Sequence, residues 1–339
     1  MEYQIDLATG SFSQADCIGG PIEPGHVGIL LQATSLNYRD LLVRDGKSAS
    51  GGSGSIVPLS DGAGEIYAVG EGVTDWQKGD RVALTFFRDW EDGRFDMKYH
   101  KAARGGSCNG VLSQYTTAKP HELVRIPSHL DYEAAATLPC AGLTAWHALM
   151  ERSRRFSEGD TLLCLGTGGV SLFGLQIAKA VGARVIITSS SDEKLERAKE
   201  LGADEVINYR ENPDWDKEVY QLTEKRGVDH VLEVGGPGTL EKSMNATGPG
   251  GSISMIGVLT GFDAPSASLF PIVSKNINLE GIYVGSRAMF ERFVRFVEEH
   301  AIEPVIDRTF SFMEASDAYD YLESGAHFGK VVISTVAAE

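Results

Sequence analysis

The segment Leu163-Cys164-Leu165-Gly166-Thr167-Gly168-Gly169-Val170-Ser171-Leu172-Phe173-Gly174 carries the clearest chemistry in the sequence. It follows the pattern G-x-G-x-x-G/A, with Ser171 in the third place. Gly166 permits a tight strand-to-helix turn, and Gly168 lets the backbone approach a pyrophosphate with no Cβ in the way. The N–H groups that open the following helix, through Thr167, Gly169 and Val170, then face the anion. A glycine triplet in a chain with 39 glycines means little alone. This one follows an apolar strand, opens a helix and precedes a second strand and helix, which points to a bound dinucleotide. Where the second strand ends, an NAD site usually carries an acid for the ribose 2′-hydroxyl. Here the chain reads Thr188-Ser189-Ser190-Ser191, with Lys194 close behind and Tyr209-Arg210 after the third strand. Hydroxyls and cations suit a 2′-phosphate, so NADP(H) is the expected cofactor. Ser190 also reads as a helix cap completed by Glu193, and the two roles are compatible.

The elements that must hold this turn come from alternation. After residue 150, short apolar runs (Thr161–Leu165, Arg184–Thr188, Glu205–Asn208, Val228–Val234, Ser252–Ile256, Ile277–Tyr283) alternate with helical stretches (Val170–Val181, Asp192–Leu201, Trp215–Arg226, Leu240–Thr247). That predicts a doubly wound parallel sheet. Before residue 125 the chain is rich in glycine and short β-type runs, Val27–Ala33, Gly64–Val69, Arg81–Phe86 and Val111–Thr117, separated by turn signals such as Lys78-Gly79-Asp80. This half reads as a partly closed all-β domain, with Gly51-Gly52-Ser53-Gly54 as a surface loop or lid. The last 50 residues, with helices at Ala288–His300 and Glu314–Ser324, return to it. The expected class is α/β: a Rossmann domain over 125–285 and a β-rich domain over 1–124 and 286–339.

Length and charge narrow the field. The 339 residues suit two domains, and 31 basic against 47 acidic side chains give −16. So acidic a chain lacks the footprint of a general nucleic-acid or anionic-membrane binder. The first residues, MEYQIDLATG, show no basic stretch followed by an apolar one, and no apolar run of about 18 residues exists to span a membrane. Cys17, Cys108, Cys140 and Cys164 lie far apart, with no C-x-x-C pair, and read as reduced structural thiols of a cytoplasmic protein.

Further blocks give the chain a resemblance over nearly its whole length. Ser35-Leu36-Asn37-Tyr38-Arg39-Asp40, Ser60-Asp61-Gly62-Ala63-Gly64-Glu65, Val69-Gly70-Glu71-Gly72-Val73 and Gly79-Asp80-Arg81-Val82 stand in the first half. Ala135-Ala136-Thr137-Leu138-Pro139, Gly142-Leu143-Thr144-Ala145, the glycine turn, Leu201-Gly202-Ala203-Asp204 and Ile207-Asn208-Tyr209-Arg210 follow. With these the chain resembles the medium-chain dehydrogenases/reductases, in the zinc-independent branch of quinone oxidoreductases and alcohol-dehydrogenase-like proteins. The resemblance implies a GroES-like β domain joined to a Rossmann domain, with NADP(H) in the cleft and a homodimer formed through the edge strand at Ile277–Tyr283. Zinc-dependent relatives carry a cysteine in the first block and Gly-His-Glu in the second, where this chain has Asn37 and Ser60-Asp61. Asn and Ser are poor zinc ligands, and His100 with Cys108 stand in an otherwise ligand-poor stretch, so no metal is expected.

Without a Lewis acid, conjugated acceptors are easier substrates than isolated carbonyls, because they spread the developing negative charge. By resemblance Asn37 lines the nicotinamide end, Thr144 contacts the cofactor ribose or nicotinamide, and Val234, Gly257, Val284 and Lys330 lie along the cofactor. Tyr38 reads either as the proton donor or oxyanion-stabilising group there, or as an aromatic wall. Asp40 reads as a structural partner of Arg39 or Arg44, and Asp61 as a local hydrogen-bonding residue. Trp146 and His147 read as core of an interdomain helix, and Phe86-Phe87-Arg88-Asp89-Trp90 as a substrate wall or loop anchor. The reading is an NADP(H)-dependent reductase of quinones or α,β-unsaturated carbonyls. Its alternatives are a zinc-free alcohol or ketone reductase and an NADPH-binding sensor without fast turnover.

Overall fold

The computed structural model describes residues 1–17, 19–47, 54–152, 155–263 and 267–336, so Gly51-Gly52-Ser53 of the glycine-rich loop lies outside the described residues. Contacts divide the chain into two units, Met1–Leu143 with Val284–Glu339, and Thr144–Tyr283.

The first unit starts with β1 (Glu2–Asp6) and β2 (Phe12–Ala15), then β3 (Val27–Leu36), α1 (Tyr38–Arg44), β4 (Ser55–Ile56), β5 (Asp61–Val69), β6 (Arg81–Leu84), β7 (Tyr115–Ala118), β8 (Leu123–Arg125) and α2 (Tyr132–Ala135). The helix α3 (Leu143–Met150) then carries the chain into the second unit. The division falls at 143/144 and 283/284, where the sequence reading placed it at 124/125 and 285/286. The reason is local packing: the Tyr132 ring lies 4.8 Å beneath the Arg81 guanidinium, and the Cys140 N–H binds the Asp61 carboxylate on β5.

In the second unit β9 (Thr161–Leu165), α4 (Gly169–Ala180), β10 (Arg184–Ser189), α5 (Asp192–Glu200), β11 (Glu205–Asn208), α6 (Trp215–Leu222), β12 (Val228–Glu233), α7 (Leu240–Ala246), β13 (Thr247–Met255), α8 (Phe270–Ser274) and β14 (Asn278–Gly281) alternate as expected. Every residue of β9 is buried, as befits a central parallel strand covered on both faces. The sheet order is β11-β10-β9-β12-β13-β14 and all pairings are parallel. The order reverses between β9 and β12, which makes their carboxyl ends the crevice where such sheets bind ligands. Helix α6 stops short of Arg226 because Glu224 and Lys225 take φ of 53° and 65°, which no helix accommodates.

The chain then returns to the first unit through α9 (Arg287–Glu299), β15 (Ile306–Ser311), α10 (Ala315–Glu323) and β16 (Lys330–Ser334). Strand β16 docks between β15 and β3 in the order β15-β16-β3-β5-β6-β8, with β7 also on β3. Ile29, Leu31, Ile66, Val82, Phe310, Val331 and Ile333 fill the core beneath it. The antiparallel register pairs Val331 with Leu36, which sets Lys330 opposite Asn37. The expected strand at Val111–Thr117 begins only at Tyr115, because the Val111 and Leu112 N–H groups turn back to the Pro58 carbonyl.

Candidate active site and cofactor cradle

The register of β16 on β3 builds a buried polar cluster in the first unit. Lys330, 3% exposed, donates through Nζ to the Leu36 carbonyl at 2.5 Å and to Asn37 Oδ1 at 2.6 Å. Its ammonium lies 4.0 Å from Asp61 Oδ2. Asp61 is fully buried and held in turn: Ser60 Oγ donates to Oδ1 at 2.6 Å and the Cys140 N–H to Oδ2 at 3.1 Å. Asn37 caps α1, and its own N–H donates to Asp40 Oδ2 at 2.8 Å. Arg39 Nη1 reaches Asp40 Oδ1 at 3.1 Å and the carbonyls of Arg104 and Gly105, while its guanidinium lies over the Phe86 ring.

Burial sets the protonation of this cluster. It raises Asp40 to about 6, against the pull of Arg39, the Asn37 N–H and Lys330, with Asp61 adding to the rise. It also raises Asp61, opposed by Lys330, Ser60, the Asn37 amide and the Cys140 N–H. Lys330 is lowered by burial and held up by Asp61, Cys140 and Asp40. Burial, then the Asp61 charge, raises the Cys140 thiol, which leaves it neutral and unreactive at physiological pH.

Sequence reasoning anticipated Asn37 and Lys330 separately, both from resemblance, and the fold brings them together. Of Asp61 it read the local hydrogen bonding, which Ser60 provides, but not the distant partners Cys140 and Lys330. The one signal was a lone cation entering the apolar run Lys330-Val331-Val332-Ile333. Asp40 pairs with Arg39; Arg44 instead pairs with Asp45 and Glu323. Tyr38 stands at the first position of α1 and is 40% exposed, outside the buried cluster. Phe86, Phe87 and Trp90 are buried in an aromatic cluster with Phe95 and Tyr99, packing that suits a loop anchor.

In the second unit the glycine turn has the expected form. Gly166 takes φ of 73°, and a Cβ at Gly166 or Gly168 meets nothing within 4 Å, so packing does not explain the missing side chain at Gly168. No side chain caps α4 at Gly168 and no acid lies in its first turn, which leaves its N–H groups to an anion. Ser171 Oγ donates to the Leu165 carbonyl at 2.8 Å, tying helix to strand, and Gly174 lies so close to Leu232 that a Cβ would meet it at 2.4 Å. Thr167, Gly169 and Val170 share this turn; Ser189 ends β10 and Ser190 follows it, Tyr209 follows β11, Val234 follows β12 and Gly257 follows β13, all at strand carboxyl ends, while Lys194 lies in the first turn of α5. The cap of α5 is Ser191, which accepts from the Lys194 N–H, rather than Ser190; the extended residue lies one position later because β10 runs through Ser189. Of the remaining expected residues, Thr144 belongs to the second unit and Val284 to the first.

A further element went unread. Glu233, at the end of β12, accepts from the N–H groups of Gly235 and Gly236 at 2.8 and 2.9 Å, from Thr239 Oγ1 at 2.6 Å and from Ser243 Oγ. It freezes the loop after β12, against which Gly257 packs so tightly that a Cβ would lie 2.2 Å from the Val234 carbonyl oxygen. Parallel sheet, reversed order, open glycine turn and uncapped helix together fit a nicotinamide dinucleotide.

Comparison with known proteins agrees. Residues 23–128 match the family description "Alcohol dehydrogenase GroES-like domain" and residues 169–299 match "Zinc-binding dehydrogenase". A zinc-type alcohol dehydrogenase-like protein of Schizosaccharomyces pombe is 44% identical over 92% of this chain and 91% of its own length. The 2-methylene-furan-3-one reductase of Solanum lycopersicum is 33% identical over 93% of this chain and 73% of its own. The crystal structure of a putative alcohol dehydrogenase from Sinorhizobium meliloti 1021 superposes with a TM-score of 0.90 at 42% identity, covering 99% of each chain. Two of these descriptions mention zinc, and the donors present bear on it. Among the described residues no group of three His, Cys, Asp or Glu is placed to hold a metal ion. Around Asn37, Ser60, Asp61 and Cys140 the cation is the Lys330 ammonium, and both Asp61 oxygens already accept hydrogen bonds. The donors there do not fit zinc.

The raised Asp40 carboxyl has a measurable consequence. Its folded pKa, about 6, exceeds the ordinary value of 3.8, so the stability it contributes is full below the lower value and is lost as pH rises through the upper one. Between pH 5 and pH 8, wild type should lose on the order of 1 kcal/mol relative to Asp40→Asn. Urea unfolding of both proteins at the two pH values reads this; a pH-independent gap would contradict it.

Proposed function

The chain belongs to the medium-chain dehydrogenase/reductase family, and from that premise we propose that it reduces quinones or α,β-unsaturated carbonyl compounds with NADP(H) and no catalytic metal. The observation that carries this reading is the Lys330 ammonium, hydrogen-bonded to Asn37 and paired with Asp61 where a metal's ligands would have to stand. With a fixed ammonium and an amide as its polar groups, such a site suits acceptors whose own conjugation spreads the developing charge. The bound nicotinamide supplies the hydride. The chain's part is to hold it through the glycine turn and α4, and to provide hydrogen-bond donors and a proton. In this reading Asn37 is the donor beside the reacting centre, and the neighbouring, exposed phenol of Tyr38 is the proton source.

For the cofactor, the absence of an acid at Thr188-Ser189-Ser190-Ser191, together with Lys194, supports NADP(H) over NAD(H). The tomato reductase by its name favours an enone acceptor, while the yeast relative's name favours an alcohol or ketone, the second reading we keep. Strand β14 ends the sheet, and Leu279 on it, with Phe262, Leu269, Phe270 and Val273 nearby in sequence, is exposed, which supports pairing of two copies through that edge. No described helix is long and apolar enough to cross a membrane, and all four cysteines are free thiols, which we take with the sequence reading as cytoplasmic.

The test is oxidation of NADPH and NADH, with chelator present, against a quinone, an enone, a ketone and a simple aldehyde. Chelator-insensitive turnover of the quinone or enone, faster with NADPH, is expected; a chelator-sensitive rate or an NADH preference overturns the corresponding part. In the same assay Tyr38→Phe should lower kcat by about 10²-fold, and an unchanged kcat removes Tyr38 from the chemistry. Light scattering should return twice the chain mass; a single-chain mass would contradict pairing.

A further inference from the structure

We infer that Lys330 is a positioning residue that acts through Asn37: its ammonium locks the Asn37 amide so that Nδ2 is the hydrogen-bond donor to a carbonyl-type oxygen of the bound ligand. The inference rests on the reductase reading and goes past it. There Lys330 is expected to lie along the cofactor; in the structure its ammonium is held by protein groups.

Lys330 is buried to 3% exposure, and its Nζ is engaged by the Leu36 carbonyl, by Asn37 Oδ1 and, at 4.0 Å, by Asp61. A side chain so committed acts on a ligand only through a neighbour. That neighbour is Asn37, 9% exposed, directly across the β3–β16 register. An amide has an acceptor end and a donor end of nearly equal shape, and the charge around it decides which way it faces. Turned over, Asn37 would set its NH₂ group against an ammonium 2.6 Å away; as it stands, oxygen meets the cation and the NH₂ group lies on the side that stabilises the Asp61 carboxylate. Nδ2 is nevertheless buried without a hydrogen-bond partner of good geometry. A buried donor left unmade is costly, and one pinned by charges on both sides has a use for its remaining N–H. Donation from the ammonium into Oδ1 also polarises the amide and strengthens that N–H as a donor. Ser60 and the Cys140 N–H complete the device by holding Asp61, which keeps the ammonium charged.

The matching ligand group is a carbonyl oxygen, on the acceptor substrate or on the cofactor's carboxamide. The test is a double-mutant cycle with Lys330→Met and Asn37→Leu, reading kcat/KM and, by fluorescence titration, NADPH affinity. Lys330→Met alone should lower kcat/KM at least about tenfold, and should cost nothing further in the Asn37→Leu background. Equal losses in both backgrounds would mean that Lys330 only supports the fold, and overturn the proposal. A loss in NADPH affinity assigns the oxygen to the cofactor; unchanged affinity with a lower kcat assigns it to the substrate. A second readout needs neither turnover nor a folded lysine variant. The Asn37 side-chain amide signals, identified by their loss in Asn37→Leu, should shift in wild type when NADPH or acceptor is added. No shift with either ligand contradicts the proposal. If no acceptor is turned over, the reductase reading fails, while the amide signals still decide this one.

Discussion

A lysine ammonium enclosed between two strands and a carboxylate is the constraint on which the first unit of this protein depends. Desolvating a charge is expensive, and it is tolerated only where acceptors and a counter-charge meet it in good geometry. The Leu36 carbonyl, Asn37 Oδ1 and Asp61 supply these around Lys330. The demand propagates outward. The register of β16 on β3 cannot slip, since one step would turn Lys330 to the other face of the sheet. The Leu138–Gly142 turn is fastened to β5 because Asp61 needs the Cys140 N–H. The residues after α2 therefore belong with the first unit, and the C-terminal strand is part of that unit's core. Removing one member of such a pair strands the other, at a cost of about 3–5 kcal/mol.

The second unit solves a different problem with less charge. A fully parallel sheet sends its strand carboxyl ends to one edge, and the reversal of order between β9 and β12 opens a crevice there. The turn after β9 is left bare by Gly166 and Gly168, while the turn after β12 is frozen by Glu233. One presents backbone N–H groups to an anion; the other fixes the loop beside it. Neither needs a metal or a lysine to organise it.

How much of this was legible in the sequence follows from how far apart the partners lie. The glycine turn, strand β9 and the alternation of strands and helices are local patterns, and β9 and β11 fall where their apolar runs do. Helix ends were less legible: Ser191 caps α5 where Ser190 was expected, and α6 ends early on two residues of positive φ that carry no strong sequence mark. The buried polar cluster was legible only as separate residues. Asn37 and Lys330 are 293 positions apart, and Asp61 and Cys140 are 79 apart. No periodicity connects such positions; only strand register and a folded turn do. Resemblance named Asn37 and Lys330 for the cofactor, but could not show that one holds the other.

In the proposed chemistry a protein-borne cation that acts through an amide takes the place of a Lewis acid. A metal would polarise an oxygen directly, whereas a buried ammonium can only orient and strengthen a neighbouring donor. All of this requires Lys330 to be charged despite its burial. The most direct test is the ¹⁵N signal of its side-chain nitrogen in wild-type protein at neutral pH, assigned by its loss in Lys330→Met. A protonated ammonium in slow exchange with water, coupled through its hydrogen bond to Asn37, is expected. A neutral amine at that pH would contradict it.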